Sequence, residues 1–395
     1  MNKRDNPYTP GAGRKPSLLA GRDRDLEDFR ALTERIDSGR YDRSLIYCGL
    51  RGVGKTVLLI EFDVLASEAG WATTDVQEVG SQADFRITFA RMAVRLLREM
   101  SRRQRIRGRV ERALGVVKAF SVAAPAGIQV KLEVDATVGM ADSGDAEQDL
   151  TDLLLEIGQV ARSAGTGALF LIDEMHNLDA ASLSAICLAF QAISRHSLPV
   201  ALVGAGLPDL QVRLMSAKPY ADRLFSYREL GRLSDAAARA ALVGPAGLMG
   251  VSFEEEAARA VVREAAGYPY FLQEYGLELW NQAERSPIAL DDVLTVRETV
   301  RDSLAATFFG PRLELATEAE QRYLAAMAAL ATQPRRSSEV AAAYGARDQR
   351  GVSVHRDGLI GKGLIWSPRR GQVDFTVPLF ADFMREHHPL ATFQS

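Results

Sequence analysis

Gly49-Leu50-Arg51-Gly52-Val53-Gly54-Lys55-Thr56 is the stretch on which the fold turns. It fits G-x-x-x-x-G-K-[ST] at every fixed position. The apolar run Ser44–Cys48 (SLIYC) precedes it, and a helical stretch to about Ser67, beginning with Val57, follows it. Strand, glycine-rich turn and helix therefore come in the order a phosphate-binding loop requires. Glycines let successive backbone N–H groups curl around an anion at a helix N-terminus. Lys55 brings a mobile cation to the β and γ phosphates, and Thr56 brings a hydroxyl for magnesium. The competing reading, a glycine-rich turn with a surface lysine, is disfavoured by those flanks. Only 7 of the 48 basic residues are lysine, so a lysine here is informative. Arg51 is either a further anion contact or a solvated loop residue.

Downstream, Ala168–Glu174 (ALFLIDE) reads as a buried strand ending in two carboxylates. Asp173 at the strand tip suits the magnesium shell, and Glu174 suits orientation and polarisation of an attacking water. A helix cap plus a surface acid is the alternative. The apolar run at 199–203 reads as the next strand, with the glycine-rich exit Gly204-Ala-Gly-Leu-Pro208. Arg223 precedes a strand expected over Phe225–Leu230. It either stabilises phosphate charge, in cis or from a neighbouring subunit, or makes a surface ion pair.

The remaining pattern alternates strand and helix. Helices are expected over 22–38, 83–100, 145–163 and 180–195, and strands over Ala72–Val79 and Ile128–Val134. The expected fold class is α/β: a parallel sheet with helices on both faces over about 40–230, a helical stretch over 234–308, and a mixed carboxy-terminal module. The chain of 395 residues is 47% hydrophobic with a net charge of −3, which excludes a globally basic nucleic-acid binder. Two cysteines, Cys48 and Cys187, give neither a disulfide framework nor a metal-ligand spacing. With no membrane-length apolar run and no leader-like amino terminus, a cytoplasmic protein without membrane contact is expected.

With both phosphate motifs in place, the chain resembles the AAA+ and STAND P-loop ATPases, especially bacterial relatives of the archaeal origin-recognition initiators. Asn6-Pro-Tyr-Thr-Pro-Gly11 and Leu19-Ala-Gly21-Arg22-Asp-Arg-Asp-Leu26 are similar to the amino-terminal arm and the box beside the adenine. Gly267-Tyr268-Pro269 is similar to the lid motif whose proline approaches the base. The resemblance implies ATP with Mg2+ as cofactors, hydrolysis to ADP and phosphate, and nucleotide contacts from Arg22 and Pro269. It implies an arm over 1–22, an ATPase core over 23–232 with an insertion at about 101–145, a helical lid over 233–310 and a winged helix over 311–395. In many such ATPases a polar side chain at the exit of the second motif's neighbouring strand senses the γ-phosphate. Here Gly204 and Ala205 stand there, and Asn177 is either a substitute or a helix-start residue. No sensor arginine is legible in 264–275, where Tyr268, Tyr270 and Gln273 stand.

Residues 316–389 read helix, short helix, helix, hairpin, helix, the pattern of a winged helix-turn-helix with Pro368–Gly371 at the wing tip. Over 335–370 stand eight basic residues (Arg335, Arg336, Arg347, Arg350, Arg356, Lys362, Arg369, Arg370) against three acids. Such a face points to double-stranded DNA. The rival is a signalling or defence switch whose winged helix binds protein. The basic stretch 102–118, seven residues against Glu111, either tracks a nucleic-acid backbone or is a solvated helix face. Nucleotide-dependent self-assembly is a further expectation.

Overall fold

The run Ser44–Cys48 forms β1, buried along its whole length. In this computed structural model residues 1–11, 13–79, 82–101, 107–122, 135–137 and 139–393 are described. They divide into two bodies. The sheet body comprises Arg22–Gly49 and Lys55–Leu230; the helical body comprises Met1–Gly21, Leu50–Gly54 and Gly231–Ser395.

In the sheet body, β1 is joined by β2 (Ala72–Thr73), β3 (Gln77–Glu78), β4 (Ala168–Asp173), β5 (Val200–Gly206) and β6 (Phe225–Glu229). The order is β2-β4-β5-β1-β6, with β3 also on β4, and every pairing is parallel. β4 and β5 are buried at every position, as a sheet covered on both faces demands. The helices are α1 (Asp23–Asp37), α2 (Lys55–Glu68), α3 (Gln82–Ser101), α4 (Arg107–Val122), α5 (Ala146–Ala164), α6 (Ala180–His196), α7 (Leu210–Ala217) and α8 (Ala221–Leu224). The parallel α/β architecture thus matches the expectation.

Two details differ. The single strand expected over Ala72–Val79 is split, because at Thr74 the side-chain oxygen, not a backbone carbonyl, accepts the Leu171 N–H at 3.0 Å. The strand expected over Ile128–Val134 lies outside the described residues, as do Arg102, Arg103 and Arg105. The described part of that basic stretch is a solvated face of α4. Arg107 pairs with Glu111 at 3.3 Å, and the charges of Arg112 and Arg109 act on Glu156.

The helical body holds α9 (Asp235–Leu248), α10 (Glu255–Glu264), α11 (Pro269–Gln282), α12 (Leu290–Leu304) and α13 (Gly310–Leu313). Its carboxy-terminal part holds α14 (Glu318–Ala328), β7 (Arg335–Arg336), α15 (Ser337–Tyr344), α16 (Ser353–Gly361), β8 (Ile365–Trp366), β9 (Gln372–Phe375) and α17 (Phe380–His387). One continuous apolar core runs through all of it, and Phe271, Phe308, Phe309 and Phe383 meet in a chain of ring contacts. The amino-terminal arm is irregular but anchored. The Tyr8 ring is buried over Gly276, where a Cβ would come within 2.3 Å of it, and its hydroxyl donates to the Leu242 carbonyl.

The hairpin β8–β9 is antiparallel as expected, and β7 adds a third strand on β9. Two residues show no alternation, so nothing in the sequence announced it. β7 also corrects the expected basic face. Arg335 is fully buried: its guanidinium pairs with Asp374 at 2.5 Å, Nε donates to the Met327 carbonyl at 2.6 Å, and the group lies 4.8 Å over the Phe375 ring. Lys362 is tied to Glu320 and Arg356 to Asp357. The exposed basic residues of the stretch are Arg336, Arg347, Arg350, Arg369 and Arg370.

Candidate nucleotide site

The sheet register brings three strand ends to one edge. Cys48 lies beside Gly206 and Ile172 beside Gly204, so β1, β4 and β5 finish together. The Gly49 N–H continues the ladder by donating to the Gly206 carbonyl at 3.1 Å. Beyond it the chain must reverse within a few residues to start α2 at Lys55. Gly52 and Gly54 make that turn with φ of 80° and 92°, in the left-handed region where a Cβ is strained. Nothing lies within 4 Å of a Cβ built on Gly54, so glycine there answers backbone conformation rather than crowding.

Lys55 is buried at the helix start, and its Nζ donates to the Gly49 carbonyl at 3.0 Å across the loop. Thr56 stands one residue on, and its hydroxyl donates to Asp173 Oδ2 at 2.5 Å. The loop and the second acidic motif, 117 residues apart, therefore meet through the two oxygen groups assigned to one ion. Asp173 is buried. Its carboxyl is raised above the usual range by desolvation, against the pull of the Thr56 hydroxyl, the Glu174 N–H and the Lys55 charge. A hard cation with oxygen ligands suits such a pair, since it would replace the hydration that burial removed. Among the described residues no cluster of three or more His, Cys, Asp or Glu offers a different metal site.

Glu174 has φ 49° and ψ 34°, a left-handed backbone that costs a non-glycine residue about 1–3 kcal/mol. A closed set of bonds holds it. Its N–H donates to Asp173 Oδ1 at 2.8 Å, and its carbonyl accepts from the Asn177 N–H at 2.8 Å. Arg213 of α7 donates to the carbonyls of His176 and Leu178. Strain of this kind clusters where a side chain must point away from its strand into a site.

These features agree with a family match. Residues 18–203 match the model of the AAA ATPase domain. This chain carries an AAA ATPase domain. The activity of that domain is ATP hydrolysis, and the chain is a P-loop ATPase. Residues 306–384 match a domain of unknown function (DUF8462). Among solved structures, the chain is similar to the Walker-type ATPase PABY2304 of Pyrococcus abyssi, at 12% identity and a TM-score of 0.59, over 93% of this chain and 96% of that one. It is also similar to the RuvB Holliday junction branch migration motor of Thermotoga maritima, at 17% identity and a TM-score of 0.45, over 94% and 98%. A third is the Orc1 protein of Aeropyrum pernix in complex with DNA, at 16% identity and a TM-score of 0.44, over 95% of each chain. No curated protein matches the chain.

The AAA ATPase domain match ends inside β5, so β6 and Arg223 lie beyond it. Arg223 lies in α8, two residues before β6, with its side chain 82% exposed and Asp222 3.8 Å away. Arg22 is buried at the start of α1. Desolvation lowers its pKa, and the charge of Asp25 opposes that fall. In the helical body, Pro269 is the first residue of α11, where its missing N–H costs nothing. Arg51 is engaged there too: its N–H donates to the Thr376 carbonyl at 3.0 Å and its Nε to the Gly363 carbonyl at 3.4 Å. Leu50 is half-buried, Val53 buried and Val57 half-buried.

Asn177 does not start the following helix. It closes the short turn Met175–Asn177, and Asp179 caps α6 by accepting the Ser182 N–H at 2.7 Å. The sequence reading passed over His176, which is buried, with Nε2 3.2 Å from Glu174 Oε2. A lone histidine two residues after the acidic pair carries no pattern. A clue of sorts was the glycine-rich strand exit opposite it, which leaves space for a residue from elsewhere. Among the described residues no helix is long and apolar enough to cross a membrane.

Proposed function

We propose that the ATPase is magnesium-dependent and works as a nucleotide-controlled DNA-binding factor of the initiator-like or mobile-element-linked kind. The supporting observation for the chemistry is the meeting of Thr56 and Asp173 with Glu174 one residue further on. Thr56 and Asp173 would hold Mg2+, which when bound neutralises charge on the phosphates. Lys55 and the N–H groups of the loop bind the triphosphate, and Glu174 orients and polarises the attacking water. Glu174→Gln keeps the shape but cannot accept a proton. It is expected to retain ATP and to lose about 10²–10⁴ in single-turnover rate. Unchanged turnover removes Glu174 from the role.

For DNA, the support is the order helix α14, strand β7, helices α15 and α16, and hairpin β8–β9, which is that of a winged helix. Arg369 and Arg370 stand exposed at the hairpin tip. Hydrolysis or exchange would shift the lid helices of 233–310 and re-aim this module. Gel shifts on duplex DNA across a salt series, with and without ATP, test it. Binding that steepens at low salt and is lost when Arg369 and Arg370 become alanine is expected. Absence of binding at low salt supports the second reading, a switch whose module binds protein. One feature favours that second reading: α16 presents Val354 at 78% exposure, and its Arg356 is neutralised by Asp357.

A further inference from the structure

At Gly204 and Gly206 the exit of β5 is filled by neighbouring side chains, so a side chain there would displace them. A Cβ on Gly204 would lie 2.1 Å from the Met175 sulfur and 3.0 Å from Ile46 Cδ1. A Cβ on Gly206 would lie 2.7 Å from a Leu210 methyl. The turn that follows Glu174 fills that space: Met175, fully buried, covers Gly204, and the next residue, His176, reaches the backbone just past the strand. The Leu207 N–H donates to His176 Nδ1 at 3.3 Å. A nitrogen that accepts a hydrogen bond carries no proton, so the neutral ring bears its proton on Nε2. Nε2 is the nitrogen 3.2 Å from Glu174 Oε2.

We propose that His176 is the positioning residue for Glu174: it carries the link from the exit of β5 to the carboxylate that a side chain on that strand cannot make. Leu207 sets the tautomer, Arg213 pins the His176 carbonyl, and Nε2–H aims the nearer oxygen of Glu174. The inference rests on Glu174 orienting the attacking water. Because His176 acts through Glu174, its effect falls on turnover and not on ATP affinity.

The variants separate the two ring nitrogens. His176→Asn keeps an acceptor near the Nδ1 position and loses the donor toward Glu174. His176→Gln places an N–H near the Nε2 position. Single-turnover hydrolysis of ATP with Mg2+ is expected to fall about 10–100-fold in His176→Asn, the usual effect of losing an orienting partner, with ATP affinity within about twofold of wild type. His176→Gln is expected to restore the rate to within about threefold. In a Glu174→Gln background, His176→Asn should change nothing further, because the group it orients has lost its chemistry. Should His176→Asn fail to fold in a thermal melt, His176→Leu fills the site without a donor and carries the same expectation. Normal turnover by His176→Asn beside a slow Glu174→Gln overturns this inference alone. Equal slowing by His176→Asn in both backgrounds also overturns it. Normal turnover by Glu174→Gln overturns the reading of Glu174 and this inference together.

Discussion

Arg335→Met should destabilise the helical body by about 3 kcal/mol, although the residue sits in a stretch whose charge suggests a DNA contact. The variant removes a fully buried guanidinium from Asp374, from the Met327 carbonyl and from the face of Phe375. Breaking a buried ion pair from one side costs about 3–5 kcal/mol, because the remaining charge is left without a partner. The Asp374 side chain keeps 24% of its exposure, so water relieves part of that cost and the lower end of the range applies. Burial already pushes the Asp374 carboxyl up, against the Phe375 N–H and Arg335. Without Arg335 it rises further, so the loss should shrink as pH falls and the carboxyl protonates. In calorimetry the transition of a body this size should fall by about 6–12 °C. The double variant Arg335→Met/Asp374→Leu should recover most of it, since no buried charge remains. A single-variant loss under about 1 kcal/mol, or no recovery in the double variant, refutes the reasoning. Alanine at exposed Arg369 or Arg370 should move stability by less than about 0.5 kcal/mol, which keeps a DNA-binding defect there free of unfolding.

Lys55→Ala removes the cation lying across the loop and should abolish tight ATP binding in a fluorescent-nucleotide titration; wild-type affinity would mean the site is misassigned. If Arg223 meets phosphate charge on a neighbouring subunit, Arg223→Ala should leave ATP affinity nearly intact and slow turnover, and mixing it with Glu174→Gln subunits should restore partial activity. No rescue in mixtures shown to co-assemble leaves Arg223 a surface residue beside Asp222. Burial pushes Glu320 up, but the Lys362 ammonium and the Thr317 N–H and hydroxyl outweigh it and hold its carboxyl below the usual range. That pairing contributes stability above about pH 4.5, lost as pH falls through the lower folded value. Lys362→Met should therefore lower stability at pH 7 and flatten its acid dependence in urea melts; an unchanged acid profile removes the pairing from the account.

Local pattern carried the sheet body. The β1 run, the helix expected over 145–163 and the apolar run ending in Asp173 each follow from chain-local chemistry, and the structure puts them where that chemistry expects. The phosphate loop was legible because its residue types and spacing answer to an anion rather than to a distant part of the chain. Sequence also put Asp173 and Glu174 side by side, which in a strand tip means two directions. What sequence left undecided depended on partners far along the chain. Whether Arg335 is a surface cation or a buried one is settled by Asp374 and Phe375, which fold back from 39 and 40 residues away. Which residue of the turn after Glu174 reaches the exit of β5 depends on packing there, where the crowding at Gly204 and the Leu207 N–H meet Met175 and His176. A one-residue choice within a turn has no period to read; only the tertiary structure shows which side chain has a donor in front of it.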